Sequence, residues 1–184
     1  ADTDEDPHGA HRSLWWAYMG WMLYQGVYKG DGEVIAKVTP DLQKNRVHKF
    51  FDGYAALLGL SVGAALFLLG GLPWLLWGFF VRVWAVNNAI WLVNSLGHHA
   101  GYRTFETNDL STNWWLAGWL CFGGGWHNNH HAFPASARLG LMWWEFYMTW
   151  VMIRLCERMG WVWDAKTPTP AQIEKRRIKK ATTG

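Results

Sequence analysis

The chain has 184 residues, a length that suits one domain, and its formal net charge is only +3. Sixteen residues are Trp, and charged residues make up 17% of the chain, against about a quarter in ordinary soluble proteins. Because Trp concentrates at membrane–water interfaces, this composition argues against an ordinary soluble domain and favours a membrane lipid environment. We expect no nucleic-acid partner.

The chain begins with Ala-Asp-Thr-Asp-Glu-Asp-Pro, without Met and without an apolar stretch. No secretory signal is visible in it, and we interpret the chain as a fragment or a processed product. The acidic residues at this end could orient a histidine or cap a helix.

Two apolar segments follow, at about 54–71 and 73–93. Each approaches the roughly 20 residues that a helix needs to cross a bilayer. The sequence Gly70-Gly71-Leu72-Pro73 between them predicts a short turn, so we expect a membrane hairpin. The alternative is a pair of buried helices in a soluble helical protein.

Charge is distributed unevenly about this hairpin. Its turn carries no ionisable residue, whereas Lys and Arg residues lie beyond both of its ends. Cytoplasmic flanks are enriched in Lys and Arg, so both ends should face the cytoplasm. The basic polar tail at 165–184 is either a solvated helix end or a contact to anionic lipid.

Asn94 and His98 come at the end of the second apolar segment, four residues apart and hence on one helical face. The polar stretch 102–113 is too short and too polar to cross the membrane, and 114–125 covers only about half a span. We therefore expect His98 and the later histidines to gather on one membrane face. The amphipathic segment 141–159 lies on the membrane or packs on the histidine region.

The run His127-Asn128-Asn129-His130-His131 places three imidazoles on one helical face. Imidazole is a common ligand of first-row transition metals, so the run predicts a metal site. A solvated histidine-rich turn or a chance cluster is the alternative. With the run on the same side, His98 becomes a further candidate ligand, and the amide of Asn94 could hold a metal-bound water.

These residues resemble the C-terminal part of the membrane fatty acid desaturases, of the acyl Δ9 type. The resemblance rests on Asp-Glu-Asp-Pro-His at 4–8, on Asn-Ser-Leu-Gly-His at 94–98, on Gly-Tyr-Arg at 101–103 and on Gly-Trp-His-Asn-Asn-His-His at 125–131. It extends to about residue 164, which we take as one domain, 1–164, followed by the tail. One departure is Gly124, where the family usually carries Glu.

The resemblance implies an all-α fold: an integral, multi-pass membrane hairpin with a histidine-rich di-iron domain on the cytosolic face. Two irons would be held by histidines that include His98, His127, His130 and His131, with Asn94 reaching an iron through water. Asp6 and His8 would support the ligands, and Trp91 would line the substrate channel. The family's boxes HxxxxH and HxxHH should lie upstream, so the chain alone is expected to be inactive.

The expected reaction introduces a cis double bond, at the Δ9 position by resemblance, into a saturated fatty acyl chain carried as acyl-CoA or acyl-lipid. It uses O2 and two external electrons, from a donor such as ferredoxin or cytochrome b5. Two alternatives remain open: a related di-iron membrane hydroxylase, and a non-catalytic metal-binding membrane module.

Overall fold

The computed structural model describes residues 2–4, 6, 9–24, 37 and 39–179. Across this part of the chain the regular structure is helical, with isolated β-bridges and no strand, so the predicted all-α class is confirmed. A π-helical turn, Trp16–Gly20, leads into α1 (Trp21–Leu23). The further helices are α2 (Pro40–Lys44), α3 (Arg46–Gly53), α4 (Ala55–Trp74), a π-helical stretch (Leu75–Val81), α5 (Arg82–Leu96), α6 (Trp115–Leu120), α7 (His127–Ala132), α8 (Met148–Arg158) and α9 (Pro170–Arg176).

The chain divides into two compact units. The first comprises residues 1–24 and 88–184, and the second comprises residues 25–87. All four histidines predicted as ligands belong to the first unit, and most of the apolar hairpin belongs to the second.

The second unit is organised by a chain reversal inside α4. Gly71 has φ +64° and ψ −159°, a conformation that only glycine adopts at low cost. Beyond it the chain packs back on itself: a Cβ at Gly63 would lie 3.6 Å from both Leu75 and Phe79, and one at Gly78 would lie 3.3 Å from Leu66. The reversal falls within the turn predicted at 70–73.

The helical stretch Ala55–Leu96 is long and apolar enough to cross a membrane, by length and composition. Only 6% of its most apolar window is buried. That exposure does not fit the alternative of two buried core helices. Arg82 is its one charged side chain and donates to the carbonyl of Gly78.

The first unit has a small core around Phe105, Ala132 and Met142. Ile173 of α9 packs against this core, so the segment predicted as a polar tail contains a helix with one inward residue. Bridges from Tyr102 to Asn113 and from Asn113 to Trp126 lay the loop between α5 and α6 beside the start of α7. This loop is what brings distant parts of the chain to the histidines.

Candidate metal centre

The predicted histidines come from two short structures in the first unit. His98 lies in the turn just after α5, and His127, His130 and His131 lie on α7. Gly97 permits the two to approach, because a Cβ there would lie 3.2 Å from the ring of His127.

Three imidazoles converge. Nε2 of His127 is 3.0 Å from Nε2 of His98 and 3.1 Å from Nε2 of His131. One nitrogen from each of the three rings lies within 4.8 Å of the others, which is close enough for one metal ion to bind all three. His98 and His127 are about nine-tenths buried. The structure thus brings His98 to two histidines that follow it by 29 or more positions in the chain.

Carboxylates hold the outer nitrogens of two of these rings. Nδ1 of His98 is 2.6 Å from Oδ2 of Asp2, and Nδ1 of His131 is 2.5 Å from Oδ2 of Asp109. Burial would raise the pKa of both carboxyls, but hydrogen bonds from Leu110 and Ala10 to Asp2, and from Ser111 to Asp109, outweigh it, so both pKa values lie below normal. An ionised carboxylate only accepts, so Nδ1 of each histidine carries the proton.

This arrangement determines the state of the inner nitrogens. With the proton on Nδ1, the Nε2 atoms of His98 and His131 each carry an unshared lone pair. Both atoms lie within hydrogen-bond distance of Nε2 of His127. One proton on His127 can satisfy only one of them well, so the donor set fits a bound cation. Burial, followed by repulsion from the neighbouring imidazoles, lowers the pKa of His127 to about 3. The ring is therefore neutral, as a metal ligand must be.

His130 occupies the edge of the same pocket. Its ring centroid is 6.1 Å from that of His127 and 5.7 Å from that of His131. Nδ1 of His130 is buried and has no hydrogen-bond partner among the described residues, which is costly for a polar atom unless a ligand binds it. Asn94 lines this pocket too, so the structure brings all five predicted ligand residues to one cavity of about 260 Å³.

The two asparagines inside the histidine run hold α7 in place. The Asn128 side chain accepts from the backbone amides of Thr104 and Phe105, at 2.9 Å each. Asn129 accepts from Asn113 at 2.7 Å and donates to Glu145 at 2.6 Å. Both asparagines are fully buried, so they anchor a six-residue helix that could not form stably by itself.

Glu145 is the centre of this support. It is 3% exposed and accepts from Tyr102, Asn129 and the backbone amides of Leu141 and Met142, at 2.6–2.8 Å. Burial, then the bond to Glu145, raises the pKa of Tyr102, which therefore stays a proton donor. Removal of the carboxylate would leave the Tyr102 hydroxyl and the two backbone amides without this acceptor, and the Asn129 amide with only its bond to the carbonyl of Leu139.

The other residues predicted to act at the site lie as follows. Asp6 lines the same pocket, and its carboxylate accepts from the backbone amide of Asp2 at 2.8 Å, so it holds the turn that presents Asp2. His8 lies outside the described residues. Trp91, one turn before Asn94, meets the ring of Tyr18 edge-on at 6.2 Å.

Sequence reasoning missed several residues of the site. Asp2 belongs to the acidic start, for which the sequence leaves open whether it orients a histidine or caps a helix; the sequence does not say which histidine. Asp109 belongs to a polar loop and Glu145 to an amphipathic segment, and neither is singled out by the sequence. No spacing pattern could have found them, since Asp2 stands 96 residues from His98 and Asp109 stands 22 from His131. Gly124 lies against Val93 and Cys121, and the carboxylates that contact the rings come from elsewhere in the chain.

Comparison with known proteins gives the family. The model of the fatty acid desaturase family matches residues 1–167. The chain is 42% identical to the sn-1 stearoyl-lipid 9-desaturase of Synechocystis sp., over 91% of this chain and 52% of that protein. It is 40% identical to the protein of the same name from Anabaena variabilis, over 90% of this chain and 60% of that protein. It is 36% identical to the icosanoyl-CoA 5-desaturase of Limnanthes douglasii, over 98% of this chain and 51% of that protein.

The chain belongs to the fatty acid desaturase family, as the resemblance predicted. It spans between about half and three fifths of the length of these curated relatives.

Proposed function

We propose that this chain forms the metal-binding part of an O2-dependent fatty acyl desaturase that introduces a cis double bond into a saturated acyl chain. The observation that carries the proposal is the convergence of His98, His127 and His131, two of them oriented by carboxylates, in a member of this family. By similarity to the sn-1 stearoyl-lipid 9-desaturases, the position of the double bond is carbon 9.

The metal is proposed to be iron, with two ions per site. His98, His127 and His131 are proposed to hold one ion. His130, whose buried Nδ1 has no partner in the described part of the chain, is proposed to take part in holding the other. Asn94 is proposed to act through a bound water. Iron supplies O2 activation, which cleavage of an unactivated C–H bond requires and which no side chain provides.

The residues around the rings hold them ready for this metal. Asp2 and Asp109 keep the proton on Nδ1, so that Nε2 faces inward without a proton. Asp6 supports the first of these contacts through the backbone of Asp2. The ligands therefore need no rearrangement to accept a cation. His8 is proposed to support the site alongside Asp6.

The apolar hairpin is proposed to span the membrane, with both ends and the histidines on the cytoplasmic side, in a multi-pass protein. Support comes from the length and exposure of Ala55–Leu96 and from the Lys and Arg residues beyond both ends. Trp91 lies on the last turns of this stretch, within one turn of Asn94, where a buried acyl chain would reach the site. We propose that Trp91 lines that channel.

The stoichiometry of the reaction requires an electron donor. Forming the double bond removes two hydrogen atoms from the acyl chain, whereas reduction of O2 to two waters consumes four electrons and four protons. Two electrons and two protons must therefore come from outside. Ferredoxin or cytochrome b5 is the proposed source. Relatives are named for acyl-lipid and for acyl-CoA substrates, so either carrier is compatible with the family.

Product analysis tests this proposal. The full-length protein, loaded with iron, is incubated with a saturated C18 acyl-lipid or acyl-CoA, O2 and reductant, and the acyl products are analysed by mass spectrometry. We expect a cis-9 olefin from the unchanged protein and none from His130→Ala, whereas His48→Ala, a change at an exposed histidine of α3, should retain activity. An alcohol product would identify a hydroxylase, and iron-free protein with no product would identify a non-catalytic module.

A further inference from the structure

The segment after α8 forms a strongly basic surface on the first unit. Between residues 166 and 179 there are five basic residues and one acidic residue, Glu174. Glu174 pairs with Arg177 at 3.7 Å, which leaves four cationic residues without an acidic partner in the described part of the chain, all of them exposed. We call these the basic surface: Lys166, Lys175, Arg176 and Lys179.

The basic surface is attached directly to the histidine helix. Arg176 donates a hydrogen bond to the carbonyl oxygen of Ala132, the last residue of α7, and its guanidinium lies 5.4 Å from the ring centre of Phe133. Ala132 follows His131 in the chain. The surface is therefore one peptide unit from a proposed metal ligand.

A cavity of about 480 Å³ opens at this point. Lys166 and Arg176 line it, together with Phe133, Thr167 and Gln172. The cavity is larger than the histidine pocket, and two cations without acidic partners in the described part of the chain line it. Such a surface accepts acidic side chains of a partner in preference to neutral ones.

The basic surface lies at the opposite end of α7 from the apolar surface of the same unit. The amino end of α7 is held by Trp126, whose ring packs on Gly118 of α6 and whose Nε1 donates to Phe146 beside α8. Helices α6 and α8 carry the exposed apolar residues, among them Trp119, Leu120, Met152 and Leu155. A lipid surface would meet that end, so the basic end is left to a water-soluble partner.

We propose that the basic surface docks an acidic one-electron carrier protein, which delivers the two external electrons through the carboxyl end of α7 to the site at His131. The proposal rests on the proposed function, which requires such a donor. Charge complementarity selects the partner, because exposed cations attract an anionic protein. Arg176 and Lys166 place part of this charge at the end of α7, and the attraction should weaken as ionic strength rises.

The test replaces exposed lysines without touching the histidines or Arg176. In the full-length protein, Lys166→Gln, Lys175→Gln and Lys179→Gln are combined, and the matched control combines Lys37→Gln, Lys44→Gln and Lys49→Gln, three exposed lysines of the second unit. The probes are purified plant-type ferredoxin and purified cytochrome b5. Binding is measured by titration at several salt concentrations, and turnover is measured with reduced carrier and with dithionite.

We expect the first variant to bind the carrier about tenfold more weakly than the control, with a flatter salt dependence, and to lose about tenfold in the ratio of carrier-driven to dithionite-driven turnover. Equal carrier affinity in both variants would overturn the proposal. An equal loss of turnover with the carrier and with dithionite in the first variant would also overturn it. A variant that loses only its binding to anionic phosphatidylglycerol vesicles would overturn it as well. Because titration needs no turnover, an enzyme that makes no olefin would defeat the proposed function separately.

Discussion

The two units of this chain are stabilised in opposite ways. In the second unit, the hairpin turns at Gly71 and its arms meet through apolar contacts such as Gly63 with Leu75 and Phe79, while most of its surface is apolar and exposed. In the first unit, the interior around α7 is polar: Asn113, Asn128, Asn129 and Glu145 are all buried and hydrogen-bonded. The contrast shows that the polar interior belongs to the unit that holds the histidines.

Removal of Glu145 should have the largest effect, because it breaks the polar interior at its centre. Glu145→Ala removes the acceptor of Tyr102 and of two backbone amides and one of the two acceptors of the Asn129 amide. It should lower the free energy of unfolding by about 3 kcal/mol or more. Chemical denaturation in detergent measures it. The control is Glu106→Ala, at an exposed position, and equal stabilities of the two variants would contradict the assigned role.

Acidification should have the next largest effect on stability, through the buried histidines of the first unit. A histidine in the unfolded chain takes up a proton near 6.5, whereas burial and the neighbouring imidazoles lower the pKa of His127 to about 3. Between these values the unfolded state binds more protons, so the metal-free chain should lose about 2 kcal/mol of stability from pH 7 to pH 5.

The lowered pKa values of Asp2 and Asp109 act in the same direction at lower pH. Their stabilisation is present above the ordinary carboxyl pKa of 3.8 and is lost as the pH falls through the folded values. Chemical denaturation at pH 7, 6 and 5 measures the loss of stability that comes from the histidines. His127→Gln should reduce this loss, and the part that remains belongs to His98 and His130, whose pKa values burial also lowers. A flat profile in the unchanged chain would contradict the neutral ring.

Loss of a carboxylate that orients a histidine ring should have a smaller effect, and it should appear as weaker metal binding. Asp109→Asn keeps the shape of the side chain but no longer fixes the proton on Nδ1 of His131, so metal affinity should fall about 10- to 100-fold. Titration with Fe²⁺ under anaerobic conditions measures it. The matched change Asp41→Asn, in α2 of the second unit, should leave affinity unchanged.

The smallest expected effects are the stability changes caused by alanine at two glycines of the hairpin. Gly71→Ala forces a side chain into a conformation at φ +64° and should cost about 1–3 kcal/mol. Gly59→Ala meets no atom within 4 Å and should stabilise its helix by up to about 1 kcal/mol. Equal effects at the two positions would mean that the chain does not reverse at Gly71.

The helices and the histidines could be predicted from sequence, because both are marked by local patterns. The turn at 70–73 is marked by Gly-Gly and Pro, and the histidine run by its i, i+3, i+4 spacing. Which carboxylate orients which ring could not be predicted, although the acidic chain start allowed such a role. Asp2 reaches His98 because the chain start is folded against the loop at Leu110, and that contact depends on tertiary structure alone.

The most direct test of the central claim compares two adjacent histidines. His98 contributes a nitrogen to the cluster with His127 and His131, whereas His99 is exposed and its Nδ1 faces the carbonyl of Ser95. Iron per chain is measured by elemental analysis in the unchanged protein, in His98→Ala and in His99→Ala. We predict that His98→Ala loses iron and that His99→Ala retains it; equal iron content in the two variants would contradict a metal held between the turn after α5 and α7.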